Sequence, residues 1–206
     1  MSMIVKGGRL IDGVSPQPIE DSFLAVKGGK IVFVGSRDSP DAPRLEVDEV
    51  IDATGMTVLP GLVDPHVHLC LSAGEDCLKD YWHDTDNLHG GDDVLLLRTA
   101  QNAQHCLAAG ITTVADCGCR GRVTLTVRDC INSGLVPGPR ILSSGAPITS
   151  TSGHMWYMNL EVEGEKEIRK AVANLVKMGV DFIKVSSSGG FTDPFFTNPL
   201  TQQFST

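Results

Sequence analysis

Pro60-Gly61-Leu62-Val63-Asp64-Pro65-His66-Val67-His68-Leu69 is the stretch on which the reading of the fold turns. Upstream of it the chain reads as short strands. Residues 3–5 and 9–11 flank Gly7-Gly8, and residues 23–27 and 30–34 flank Gly28-Gly29, the composition of a tight β-hairpin. Residues 47–51 and 56–59 are strand-like again, and no helical period is long enough for a helix, so residues 1–60 form a small β-layer. Downstream the pattern changes. A strand beginning at Leu62 runs into the two histidines, and residues 92–109 carry apolar side chains at helical spacing before Gly110. The β-branched residues 111–115 give a second strand, 123–131 a helix ended near Gly134, and 140–143 a third strand. Residues 165–178 give a helix with acidic residues early and Lys177 late, and Gly179 leads to a fourth strand over 181–185. Strands alternating with helices specify an α/β domain, a parallel sheet with helices packed outside it, over residues 61–206.

Composition narrows the function classes. The 206 residues hold 17 Lys+Arg against 25 Asp+Glu, a formal net charge of −8. A net anion is repelled by nucleic acid and by anionic membranes, so neither is an expected partner. No apolar run reaches membrane-spanning length, and the first residues lack the basic-then-apolar pattern of an export signal, so the expected location is cytoplasmic. The six cysteines (Cys70, Cys77, Cys106, Cys117, Cys119, Cys130) include no CxxC pair and are expected as reduced, small core residues.

Chemistry concentrates at strand ends. In an extended strand, residues two apart share a face and lie about 6.6 Å apart at the backbone, so His66 and His68 can converge on one metal ion. The competing reading is two unrelated histidines, one of them satisfied by a backbone hydrogen bond. Lys184 is a lone cation among Phe182, Ile183 and Val185, where burial would favour the neutral amine. It either serves the site, reaches the rim, or pairs with an acid such as Asp116. His154 lies in a Ser/Thr/Gly-rich loop with Trp156 and Tyr157 beyond it, as a substrate-facing group or a cap on loop carbonyls. Asp116 is expected to be a structural hydrogen-bonding carboxylate, and Asp64 to anchor the backbone near the histidines. His83, His89 and the acids around them are expected in a solvated loop, and residues 186–190, with the polar tail 192–206, in a flexible loop.

Taken in order, DATGMTVLPGLVDPHVHL (52–69), GITTVAD (110–116), GPRIL (138–142) and TSGH (151–154) resemble the amidohydrolase superfamily, in particular its imidazolonepropionase-like and Xaa-Pro dipeptidase branch. The resemblance implies a small β-sandwich portion over 1–60, followed by the first half of a (β/α)8 TIM-type barrel. Residues 61–206 would be its first four βα units, because a closed barrel takes about 250 residues. It implies divalent metal as cofactor, two Zn2+ with Mn, Fe or Co as substitutes, held by His66, His68 and Lys184. In that branch the strand-four lysine is carboxylated and bridges the metals, and the histidine of a TGGH-like motif, here His154 with Ser152 in place of a glycine, faces the substrate. The further histidines and the general-base aspartate come from later strands, beyond the chain end. The expected function is hydrolysis of an amide or dipeptide-like C–N bond by a metal-activated hydroxide, with this chain an amino-terminal portion inactive alone. The alternatives are an esterase or lactonase on the same scaffold, or a truncated, non-catalytic paralogue acting as a binding or assembly module. An open half-barrel edge would favour association of copies.

Overall fold

The computed structural model describes residues 1–72, 91–190 and 198–204. The segment with Cys77, His83 and His89, and residues 192–197 and 205–206 of the polar tail, lie outside the described residues. The chain divides into two compact units, Met1–Pro60 and Gly61–Thr206.

In the first unit, β1 (Ser2–Lys6), β3 (Ser22–Lys27), β4 (Lys30–Ser36) and β5 (Glu49–Asp52) form one sheet in the order β4-β3-β1-β5. β3 runs antiparallel to β1 and β4, while β5 runs parallel to β1. β2 (Arg9–Leu10) pairs in parallel with β6 (Thr57–Val58) as a second, two-stranded sheet. The β3–β4 hairpin closes through Gly28 and Gly29 at φ of 59° and 74°, the doubly left-handed turn that suits the twist of a two-residue hairpin. Its small core holds Ile4, Leu10, Ala25 and Ala53, while Ile31, Val32 and Val50 remain exposed.

The second unit is built on a parallel sheet in the order β7-β8-β9, from β7 (Leu62–Val67), β8 (Ile111–Asp116) and β9 (Arg140–Ser143). Helices α1 (Asp92–Ala108) and α2 (Val123–Asn132) cover one face. Val114 and Ile141 from the strands meet Ala103 and Val127 from the helices there, with Leu69 completing the layer. Helix α3 (Gly164–Met178) packs Ala171 and Leu175 against Ile148 and Val162, with Ile183 at the edge of the same cluster. Its end is set by Gly179 at φ 85°, whose N–H turns back to the carbonyls of Leu175 and Val176. A short parallel pair, β10 (Ile148–Thr149) with β11 (Leu160–Glu161), brackets the loop that bears His154. No described helix is long and apolar enough to cross a membrane.

Two elements depart from the expected pattern. Residues 181–185 are not a regular strand; they make an isolated parallel bridge, Ile148 to Val185, flanked by hydrogen bonds from Asp181 N–H to Ser143 O (2.8 Å) and Ile148 N–H to Lys184 O (2.9 Å). The cause lies in the neighbouring segment. Gly145 takes φ 62° and Pro147 has no N–H to give, so the ladder is interrupted between β9 and β10. The described tail also differs from a flexible loop. Gly189 N–H donates to Thr201 O (3.1 Å) and Gln203 N–H to Ser187 O (2.9 Å), and Phe204 packs on the α3 cluster.

Candidate metal centre

β7 and β8 are not in simple register: Asp64 pairs with Val114, yet Val67 pairs with Asp116. The slip falls at Pro65, which donates nothing to the ladder, and it places an extra residue in β7 before its end. Asp64 Oδ1 accepts the His66 N–H at 3.1 Å across this irregularity. The result keeps both imidazoles on one side, with ring centroids 5.6 Å apart and planes inclined at 57°.

A cleft of about 180 Å³ brings the expected residues together: His66, His68, His154 and Lys184 all line it, with Cys117, Asn159 and residues 186–189. His66 and His68 come from the end of β7, His154 from the loop between β10 and β11, and Lys184 from the segment that bridges to Ile148. Ile183 packs into the α3 cluster, while Lys184 lines the cleft. Lys184 is half-buried and makes no ion pair among the described residues, so the expected alternative of a pair with Asp116 is not formed.

His68 is the best-held ligand candidate. Its Nδ1 lies 2.9 Å from the carbonyl of Gly118, and a carbonyl only accepts, so Nδ1 carries the proton and Nε2 keeps a lone pair. Burial holds the His68 ring below the usual imidazole range; the bond to Gly118 opposes this, and the charges of His66, Lys184 and His154 add to it. His66 is lowered as well, first by desolvation and then by the Lys184 ammonium, against a smaller opposing effect of Asp64. Both rings are therefore neutral at pH 7, the form that donates to a metal. Among the described residues no three His, Cys, Asp or Glu side chains cluster to hold a metal; the third cleft donor is the lysine amine.

His154 sits half-buried against Gly190, where a Cβ would overlap the ring. Its carbonyl accepts from Asn159 Nδ2 at 2.8 Å, and the same amide reaches Ser186 Oγ at 3.4 Å. Ser152, the departure from glycine in the related motif, takes φ 54°, a left-handed conformation that glycine adopts at little cost. Asp116 is fully buried on the same strand face as Val114, turned toward the helices and away from the cleft. Its Oδ2 accepts Leu69 N–H at 2.9 Å and its Oδ1 accepts Gly118 N–H at 3.2 Å. Burial raises its pKa to about 6, against the lowering effect of the Leu69 N–H, the Thr124 hydroxyl and the Gly118 N–H. The five described cysteines are all free: Cys70, Cys117 and Cys119 buried, Cys106 and Cys130 half-buried. The structural parts of Gly118 and Asn159 were not singled out in the sequence; a glycine between two buried cysteines was the one available sign for the first, and nothing marked the second.

The model of the amidohydrolase family matches residues 57–206. Ochratoxinase of Aspergillus niger is 29% identical over 229 aligned positions, covering 98% of this chain and 45% of that protein. Imidazolonepropionase of Thermoanaerobacter pseudethanolicus is 34% identical over 116 positions, 48% of this chain and 27% of that protein. Among solved structures, a prolidase complexed with N-methylphosphonate-L-proline superposes with TM-score 0.82 at 25% identity, over 100% of this chain and 51% of the other. A Xaa-Pro dipeptidase with bound methionine in its active site gives 0.77 at 27% identity, over 100% and 51%. The chain thus spans about half the length of the curated relative that matches it throughout. With the family pattern matching residues 57–206, a span that includes both histidines, the chain belongs to the amidohydrolase family.

Proposed function

We propose that this chain provides the amino-terminal metal-binding half of a hydrolase acting on amide or dipeptide-like C–N bonds of a small molecule. The observation that carries the reading is the convergence of His66, His68 and Lys184 on one cleft, with His154 opposite. The donor chemistry fits a divalent metal. His68 has its outer nitrogen committed to Gly118 and its inner one available, both rings are held neutral, and Lys184 is unpaired among the described residues. His66, His68 and Lys184 would hold the metal, the lysine as its carbamate; imidazole and carbamate donors suit zinc, and manganese, iron or cobalt are also accommodated. Bound there, a divalent metal lowers the pKa of water and polarises a carbonyl.

The chain's own residues define the rest. Gly118 and Asp64 orient the histidines, and His154, tied to Asn159, stands where it meets a substrate group beside the metal position. In this reading residues 1–60 are a β-sandwich portion and residues 61–206 the first four βα units of a (β/α)8 barrel. Supporting it are the parallel β7-β8-β9 order and superposition over about half of longer relatives. The general base and further ligands then come from later strands.

The test uses protein expressed from the complete coding sequence, stripped of metal and reloaded with Zn2+, assayed on Xaa-Pro dipeptides, N-acyl amino acids and matched esters. Metal-dependent amide cleavage that is lost in His66→Ala and in Lys184→Ala supports the reading, as does a carbamate carbon signal after 13C-bicarbonate that is missing in Lys184→Ala. Undiminished turnover in His66→Ala, or turnover without bound metal, overturns it. Ester cleavage alone would favour the esterase alternative, and zinc binding without any turnover a binding module.

A further inference from the structure

We propose that Asp116 is a positioning residue for the metal centre, acting on His68 by fixing the backbone at Leu69 and Gly118; this rests on the metal-centre reading above. The geometry is a three-part chain. The Asp116 carboxylate accepts Gly118 N–H (3.2 Å), and the carbonyl of the same residue accepts the proton on His68 Nδ1 (2.9 Å). Its other oxygen accepts the N–H of Leu69, the residue after His68 (2.9 Å). One carboxylate therefore fixes both the backbone that bears the imidazole and the acceptor that sets its tautomer. The Gly118 N–H and C=O belong to successive peptide groups joined through Cα, so the carboxylate acts by position: with the N–H pinned, the carbonyl is held where it meets Nδ1, and Nε2 keeps its lone pair for a metal.

The surroundings leave this arrangement little freedom. Asp116 is fully buried, and its backbone is held in the sheet by pairing with Val67 and Ser143. Gly118 takes φ 139°, and a Cβ there would overlap the Pro147 ring, so no other residue fits this backbone between the strand ends. The two backbone N–H groups occupy one oxygen each, the Thr124 hydroxyl also favours the anion, and the carboxylate does not line the cleft. It acts on the metal site through the backbone and His68, without touching substrate.

Asp116→Asn tests this with nearly the same volume: an amide offers one acceptor oxygen where two N–H groups need one each, and its NH2 opposes the second. Two readouts are used on the folded chain. The first is the His68 ring 15N spectrum without metal. Wild type is expected as the Nδ1–H tautomer, and Asp116→Asn as a mixture. The second is Zn2+ affinity by chelator competition, expected to fall about 10- to 100-fold. Arg128→Ala, which breaks contacts to Asp181 and to the Gly179 carbonyl and touches neither Leu69, Gly118 nor His68, serves as the destabilised control and is expected to change neither. An unchanged tautomer, or an affinity within about twofold of wild type in folded Asp116→Asn, overturns the proposal. So does an equal loss in Arg128→Ala, which would mark a general effect of stability. If wild type itself binds no Zn2+, the metal-centre reading fails, and the tautomer alone then decides whether Asp116 governs His68.

Discussion

Asp116 gives the sharpest prediction for stability, through its ionisation. Burial raises its pKa from 3.8 to about 6, outweighing the Leu69 N–H, the Thr124 hydroxyl and the Gly118 N–H, which favour the anion. A pKa raised on folding means that the native state holds the proton more tightly than the unfolded chain. Its contribution is fully present below pH 3.8 and is lost as pH rises through about 6. A displacement of roughly two pH units corresponds to about 3 kcal/mol, most of it falling between pH 4 and pH 6. The group is completely buried, so solvent screening does not reduce the figure greatly. Other carboxylates act in the opposite direction over the same range, so the measurement is a difference: urea unfolding of wild type and Asp116→Asn at pH 4, 5, 6 and 7. Stability of wild type relative to the variant is expected to fall by about 2–3 kcal/mol between pH 4 and pH 7. A flat difference would refute the reasoning, because it would mean that the two N–H groups stabilise the carboxylate as fully as water does.

Three further outcomes follow from the same geometry. Gly118→Ala, with φ 139° and a Cβ that overlaps Pro147, is expected to cost about 2 kcal/mol or more in chemical unfolding and to weaken Zn2+ binding with it, since the carbonyl that holds His68 moves. Arg128→Ala removes donors to Asp181 (2.7 Å) and to the Gly179 carbonyl (2.9 Å) at a site that is mostly shielded on the arginine side; about 1–3 kcal/mol is expected from thermal or urea unfolding, and less at high salt. In Lys184→Ala, where the two imidazoles are the remaining donors and no amine has to lose a proton, Zn2+ uptake is expected to hold above pH 6.5 and to decline below it, because both rings are lowered from 6.5. Isothermal titration from pH 5 to 8 checks this, and a decline already at pH 7.5 would count against the assigned ligands.

Much of this site was legible because it depends on alternation. The placing of His66 with His68 on one side of β7 follows from the period of two alone. The β3–β4 hairpin and the ends of α1 and α3 were equally readable, because Gly28-Gly29, Gly110 and Gly179 occupy backbone conformations that other residues resist. What was not legible depends on chain paths between elements. Residues 181–185 have the composition of a strand, but the interruption lies in their partner, at Gly145 and Pro147. The slip at Pro65 likewise shows only when β7 is laid beside β8. Asp116 was expected as a structural acid, yet which N–H groups it takes depends on Leu69, forty-seven residues away.

A common device emerges where the strands end. Past the last ladder hydrogen bond, backbone N–H and C=O groups lose their partners, and in a buried cleft each must find another. Asp116 takes the N–H groups of Leu69 and Gly118 and so joins the ends of β7 and β8. Asn159 does the corresponding work further on, donating to the His154 carbonyl and to Ser186 Oγ, and so joins the His154 loop to the segment that bears Lys184. The backbone is thus satisfied by groups that are not the proposed ligands. His68 spends only its outer nitrogen, and Lys184 makes no ion pair among the described residues. Had these strand ends been tied by the histidine and lysine side chains themselves, the same fold would stand with no donor left for a metal. The division of labour between buried clamps and uncommitted nitrogens is what distinguishes this cleft from a satisfied polar core.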